Sequence, residues 1–134
     1  MTSLIDVEGI GEEYAKKLKA IGIDSQEEML AKGATPEGRK WLAEQSGISD
    51  KLILKWLNRA DLGRIKGIGS EYADLLEAAG VDTVPELAQR RADNLYAKLG
   101  EVNEAKKLVR KMPTESQVGD WISQAKALPR ALNY

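Results

Sequence analysis

Val7-Glu8-Gly9-Ile10-Gly11-Glu12-Glu13-Tyr14-Ala15-Lys16-Lys17-Leu18 returns 58 residues later as Ile65-Lys66-Gly67-Ile68-Gly69-Ser70-Glu71-Tyr72-Ala73-Asp74-Leu75-Leu76. The match continues into Gly22-Ile23-Asp24-Ser25 against Gly80-Val81-Asp82-Thr83. Across residues 4–30 and 62–88, twelve of the 27 aligned positions are identical. A repeat this close means one structural unit used twice. Within the unit, a Gly-Ile-Gly turn opens a helix, and such a turn aims backbone N–H groups outward in a way that suits phosphate.

Outward from the repeat, nearly everything reads as short helices. Ser3 is placed to cap a first turn through Leu4, Ile5 and Val7, which Gly9-Ile10-Gly11 breaks. A helix then runs from Glu12 to about Ala20, with Tyr14, Ala15 and Leu18 on one face. Gly22 ends it, and Ser25-Gln26-Glu27-Glu28 has the form of a capping box, Glu28 reaching back to the Ser25 N–H. Thr35-Pro36-Glu37 starts a helix that carries Trp41 and Leu42 and ends at Gly47. Ser49-Asp50 starts another, with Leu52, Ile53, Trp56, Leu57 and Ala60 as its apolar stripe. The turn between them, Leu42 to Ser49, reads as a degenerate hairpin that keeps the first glycine and replaces the second by Ser49.

In the second copy Asp61 takes the capping place of Ser3, and Thr83-Val84-Pro85-Glu86 repeats the later cap. Helices are expected around Asn94–Leu99 and Asn103–Met112, and Pro113-Thr114-Glu115 begins a last one holding Val118, Trp121, Ile122 and Ala125. The expected fold is all-α: tandem copies at 1–60 and 61–134, about ten short helices, with Leu, Ile and Trp in the core. Short loops and no low-complexity linker lead to the expectation that the copies pack together.

A chain of 134 residues fits one compact domain or two small linked ones. An apolar fraction of 43% supports a core, and no apolar run is long enough to span a bilayer. With no N-terminal signal pattern, the default compartment is the cytoplasm, with no membrane partner. The chain has no cysteine and no histidine, which removes disulfides, thiolate chemistry, most zinc sites and the commonest general base. No tight Asp/Glu cluster points to a metal, and no nucleophile–base spacing stands out, so neither a cofactor nor an enzymatic activity is expected. Net charge is −1; residues 1–62 carry −2 and residues 63–134 carry +1. That is a weak basic excess for a nonspecific DNA binder.

The pattern apolar-x-Gly-Ile-Gly-x-x-x-Ala-x-x-Leu, at Val7 to Leu18 and at Ile65 to Leu76, resembles the helix-hairpin-helix motif. A strong hairpin, a connector helix and a degenerate hairpin resemble the doubled helix-hairpin-helix domain of DNA repair and recombination proteins. Over residues 3–128 the chain also resembles a bacterial family of uncharacterised proteins built from two such copies. The resemblance rests on Asp61-Leu62, Arg64-Ile65-Lys66-Gly67-Ile68-Gly69 and Leu75-Leu76-Glu77-Ala78-Ala79-Gly80-Val81-Asp82-Thr83-Val84. It implies a DNA phosphate at the hairpin, helped by nearby Lys or Arg, and in some members a monovalent cation on hairpin carbonyls. It implies no settled activity.

Charge separates the two hairpins. Asp6, Glu8, Glu12 and Glu13 flank the first, which opposes a phosphate there. At the same offsets the second has Arg64, Lys66, Ser70 and Glu71. The expected nucleic-acid contacts are therefore Arg64, Lys66, Gly67, Ile68, Gly69 and Ser70. Lys106, Lys107, Arg110 and Lys111 form a second basic patch, expected along one broad helix face while Leu108, Val109 and Met112 face the core. Tyr14 and Tyr72 read as packing residues, and Trp41, Trp56 and Trp121 as core. The leading expectation is a non-enzymatic protein binding DNA phosphate backbone without sequence specificity. The alternative is a protein–protein interaction or scaffold module whose hairpins are purely structural.

Overall fold

Side-chain oxygens and prolines at the chain's short breaks set where its helices start. Thr35 Oγ1 accepts the Gly38 N–H at 3.1 Å, just ahead of Pro36, and Thr83 Oγ1 accepts the Glu86 N–H at 3.2 Å. Thr114 Oγ1 accepts the Gln117 N–H at 3.1 Å while Gln117 Oε1 accepts the Thr114 N–H at 2.8 Å, a closed capping box. The computed structural model describes residues 2–134, and over them the chain is all-α. The helices are α1 (Glu12–Lys19), α2 (Gln26–Lys32), α3 (Pro36–Ser46), α4 (Asp50–Leu62), α5 (Ser70–Ala78), α6 (Val84–Ala88), α7 (Ala92–Lys106) and α8 (Glu115–Ala127). A single 3-10 turn, Leu4–Asp6, precedes them. Among the described residues there is no strand, only an isolated antiparallel bridge between Ser3 and Ser25.

Eight α-helices among the described residues is fewer than the expected ten or so. The helices expected at Asn94–Leu99 and Asn103–Met112 are one, α7, which runs through Gly100 and stops at Lys106. Asp61 is not a cap: α4 continues through it to Leu62, and it is buried. Ser3 stands at the start of the 3-10 turn without a side-chain capping bond, and its carbonyl accepts Gln26 Nε2 at 2.8 Å. Glu28 turns to the Ser25 hydroxyl, at 3.2 Å, rather than to the Ser25 N–H, while Ser25 Oγ caps α2 through the Glu28 N–H.

The chain divides into two compact units, Met1–Asp61 with Arg130–Tyr134, and Leu62–Pro129. The first has its own apolar cluster around Leu18, Met29, Leu42, Ile53, Trp56 and Leu57. Its last five residues form a strap. Leu132, 1% exposed, enters the cluster, the Asn133 N–H donates to the Ala34 carbonyl at 2.8 Å, and Tyr134 Oη donates to Asn58 Oδ1 at 2.6 Å. Buried Arg39 joins strap and turn, donating to the Asn133 carbonyl at 2.7 Å and the Gly33 carbonyl at 2.8 Å.

The second unit packs α8 against α6 and α7, and α5 against α7, around Leu62, Ile65, Leu76, Leu87, Val118 and Trp121.

Inside each unit one backbone geometry recurs. Gly9 (φ +94) and Gly67 (φ +100) both take a conformation that side chains other than glycine disfavour. The next residue, Ile10 or Ile68, is buried, and its N–H donates three residues back to Val7 or Ile65. Gly11 and Gly69 then stand at the N-caps of α1 and α5 with nearly equal dihedrals, φ −89 and −94. A tryptophan closes each arrangement. Trp56 meets Tyr14 at 5.0 Å between ring centroids, and Trp121 meets Tyr72 at 5.3 Å. Trp56 and Trp121 are core residues; Trp41 is only half-buried, with Lys32 Nζ 4.2 Å over its ring.

Candidate functional site

The start of α5 is the point where loop, helix and charge meet. The Ile65 N–H donates to the Leu62 carbonyl and the Ile68 N–H to the Ile65 carbonyl, so the chain folds back tightly after α4. Ile65 and Ile68 point into the core and leave Lys66, Gly67, Gly69 and Ser70 exposed. No side chain caps α5, because Gly69 has none to offer. The first N–H groups of a helix have no acceptor inside it, and the positive end of the dipole lies behind them. The contrast is Ser49, whose hydroxyl accepts the Leu52 N–H at 3.3 Å at the start of α4. The start of α1, behind Gly11, is as bare as that of α5, but exposed Asp6, Glu8, Glu12 and Glu13 surround it.

The expected contact residues do not all remain available. Lys66 and Ser70 extend from the surface with their side chains in solvent. Arg64 is half-buried, and its Nη2 donates to the Pro129 carbonyl at 3.0 Å. The Lys66 peptide is itself held, its N–H donating to Gln124 Oε1 at 2.8 Å and its carbonyl accepting Gln124 Nε2 at 3.1 Å. Gln124 Nε2 also donates to Asp120 Oδ2 at 2.9 Å, which brings a carboxylate close to the basic hairpin. Gln124 and Asp120 carry no mark in the repeat, since they arrive from α8 in the stretch where the copies diverge.

The second basic patch is a loop, not a helix face. α7 ends at Lys106, and Lys107 takes a left-handed conformation (φ 52), its N–H donating to the Asn103 carbonyl at 2.7 Å. The Asn103 side chain then clasps the backbone of Val109, accepting its N–H at 3.0 Å and donating to its carbonyl at 3.2 Å. An amide that satisfies both groups of a residue six positions on turns the chain out of helical register. As a result Val109 is buried, Met112 is half-buried, and Leu108, expected in the core, is 38% exposed. Lys106, Lys107, Arg110 and Lys111 are all exposed. Tyr72 Oη donates to the Lys111 carbonyl at 3.0 Å, so this loop is held against the first turn of α5. Asn103→Ala is expected to cost about 1–3 kcal/mol, from two lost hydrogen bonds and unpaired groups at Val109. Urea unfolding would show the loss, and hydrogen exchange at residues 107–111 would rise.

Among the described residues no three acidic side chains gather as a metal site, and no helix is long and apolar enough to cross a membrane. Residues 8–128 match the family described as Domain of unknown function (DUF4332). No curated protein and no solved structure matches the chain.

Proposed function

From the premise that the chain belongs to this DUF4332 family, we propose that it is a tandem helix-hairpin-helix protein that binds the nucleic-acid phosphate backbone through its second hairpin. The observation that carries this reading is the uncapped start of α5, with Lys66 and Ser70 exposed beside it. Backbone N–H groups, a serine hydroxyl and an ammonium are the donors that hold a phosphate oxygen, and they read no base. The basic loop at Lys106, Lys107, Arg110 and Lys111 adds charge on the same unit, tied to the first turn of α5 through Tyr72. The first hairpin is then a structural copy, its four carboxylates excluding an anion. In this reading the protein binds and positions, and catalyses nothing.

The second reading is a protein–protein interaction or scaffold module with purely structural hairpins. Arg64 bound to the Pro129 carbonyl and Asp120 close to the Lys66 peptide favour it.

Labelled duplex and single-stranded DNA titrated with the full chain at two salt concentrations separate the two. Lys66→Glu/Ser70→Glu changes only exposed side chains, so the fold is kept. Binding that falls with salt and drops about tenfold or more in this variant supports the first reading. Absence of binding at low salt sinks it and directs attention to partner proteins.

A further inference from the structure

We infer that copies of this chain associate head to tail, the acidic first hairpin of one seating on the basic loop Lys106–Lys111 of the next. Among the described residues the exposed large apolar side chains are Ile5, Tyr96, Leu108 and Tyr134. Two of them stand close in sequence to exposed side chains of opposite charge. Ile5, 57% exposed, is followed by Asp6 and Glu8 and shares its hairpin with Glu12 and Glu13, all exposed. Leu108, 38% exposed, lies among Lys106, Lys107, Arg110 and Lys111, all exposed. An apolar centre with a charged rim is the usual anatomy of a protein interface, and here the two sets of charges are opposite in sign.

Both surfaces are preformed. The buried side chains of Leu4, Val7 and Ile10 anchor the acidic hairpin. The Asn103 clasp on Val109 and the Tyr72 bond to the Lys111 carbonyl anchor the basic loop. Association therefore orders little new chain. Charges of the other sign lie farther along each helix: Lys16, Lys17 and Lys19 on α1, and Glu101 and Glu104 on α7. At 1.5 Å per residue Lys16 and Lys19 lie about 6 Å and about 10 Å along the axis from Glu12 and offset part of its charge, while Asp6 and Glu8 stand ahead of the helix, farther from these lysines. A net charge of −1 supplies no overall repulsion to hold copies apart. Because each copy offers both surfaces, a copy that has bound one neighbour through its hairpin still has its own loop to offer. With one small patch on each side the association is weak and needs high protein concentration.

The inference does not rest on nucleic-acid binding, and it is tested on the full chain freed of nucleic acid. Sedimentation velocity over a concentration series is read at about 0.01 M and about 0.15 M ionic strength, between which the Debye length falls from about 30 Å to about 8 Å. The weight-average mass is expected to rise with concentration at the lower salt and to fall back toward monomer at the higher. Asp6→Lys/Glu8→Lys/Glu12→Lys and Lys107→Glu/Arg110→Glu/Lys111→Glu should each stay monomeric alone and assemble when mixed. Ile5→Ser or Leu108→Ser should weaken the wild-type association about tenfold, the loss of one buried apolar contact. All these side chains are exposed, and unchanged melting curves verify the fold of each variant. A wild-type chain that stays monomeric at the highest concentration overturns the inference. So does a mixed assembly with no loss in the two serine variants, since that would be charge attraction without this interface.

Discussion

Gly38→Ala is expected to destabilise the protein by about 2–5 kcal/mol, although alanine is the better helix former by about 1 kcal/mol. Gly38 lies in the first turn of α3, where α2 has just ended. A Cβ there would stand 1.8 Å from the Lys32 carbonyl oxygen and 3.0 Å from its carbon. Both are backbone atoms and cannot rotate away. Relief requires α2 and α3 to separate or the first turn of α3 to distort, and distortion strains the Gly38 N–H bond to Thr35 Oγ1, a cap worth about 0.5–2 kcal/mol. Arg39 follows directly in sequence and holds the Gly33 and Asn133 carbonyls, so the strap at Arg130–Tyr134 is loosened with the turn. Gly100→Ala is the control. It is also a helix glycine, but nothing lies within 4 Å of its added Cβ. That variant should gain about 0.5–1 kcal/mol. Urea midpoints moving in opposite directions for the two substitutions establish that contact decides the sign; equal shifts would refute the account.

Trp121→Ala is expected to cost about 3–5 kcal/mol, the usual range for removing a buried indole. Trp121 is 1% exposed, rests against Tyr72 and lies directly under the Gly67 turn. Gly67→Ala should cost about 2–4 kcal/mol for two separable reasons. At φ +100 any Cβ is strained, and this one would sit 2.8 Å from Trp121 Nε1. In a double-mutant cycle with Trp121→Leu the collision disappears and the dihedral strain remains. The pair should therefore be less destabilising than the sum by about 1–2 kcal/mol. Strict additivity would mean that the backbone, not the indole, holds this glycine.

Much of this was readable from residue order. Glycines at fixed offset, the apolar residue between them and the Thr and Ser caps are local signals, and every helix except α7, which starts at Ala92 behind Arg91, begins where those signals stand. The boundaries that differ are set by partners distant in the chain. α4 continues through Asp61 into a last turn whose Leu62 is fully buried, and that outweighs the capping preference of an aspartate. Lys106 to Lys111 has helical charge spacing, but the Asn103 amide on Val109 and a left-handed Lys107 end the helix, and no propensity scale marks either. At the candidate site, the charge reversal from Glu8 to Lys66 and the loss of a charge from Glu12 to Ser70 could be read by simple alignment of the copies. That Arg64 turns inward to Pro129, and that Gln124 grips the Lys66 peptide, depends on where α8 and the segment after it lie in the fold.

The return of Arg130–Tyr134 to the first unit imposes an order on biosynthesis. A ribosome delivers residues 2–61 early, but the leucine that completes their core emerges only after all of Leu62–Pro129. At 5–20 residues per second that interval is on the order of 3–14 s. During it the nascent first unit exposes the apolar surface that Leu132 later covers, and the second unit receives its last residue, Pro129, before Leu132 arrives. The half made first is therefore the half finished last, and its window of vulnerability to proteases and misassociation is set by translation speed rather than by its own folding rate.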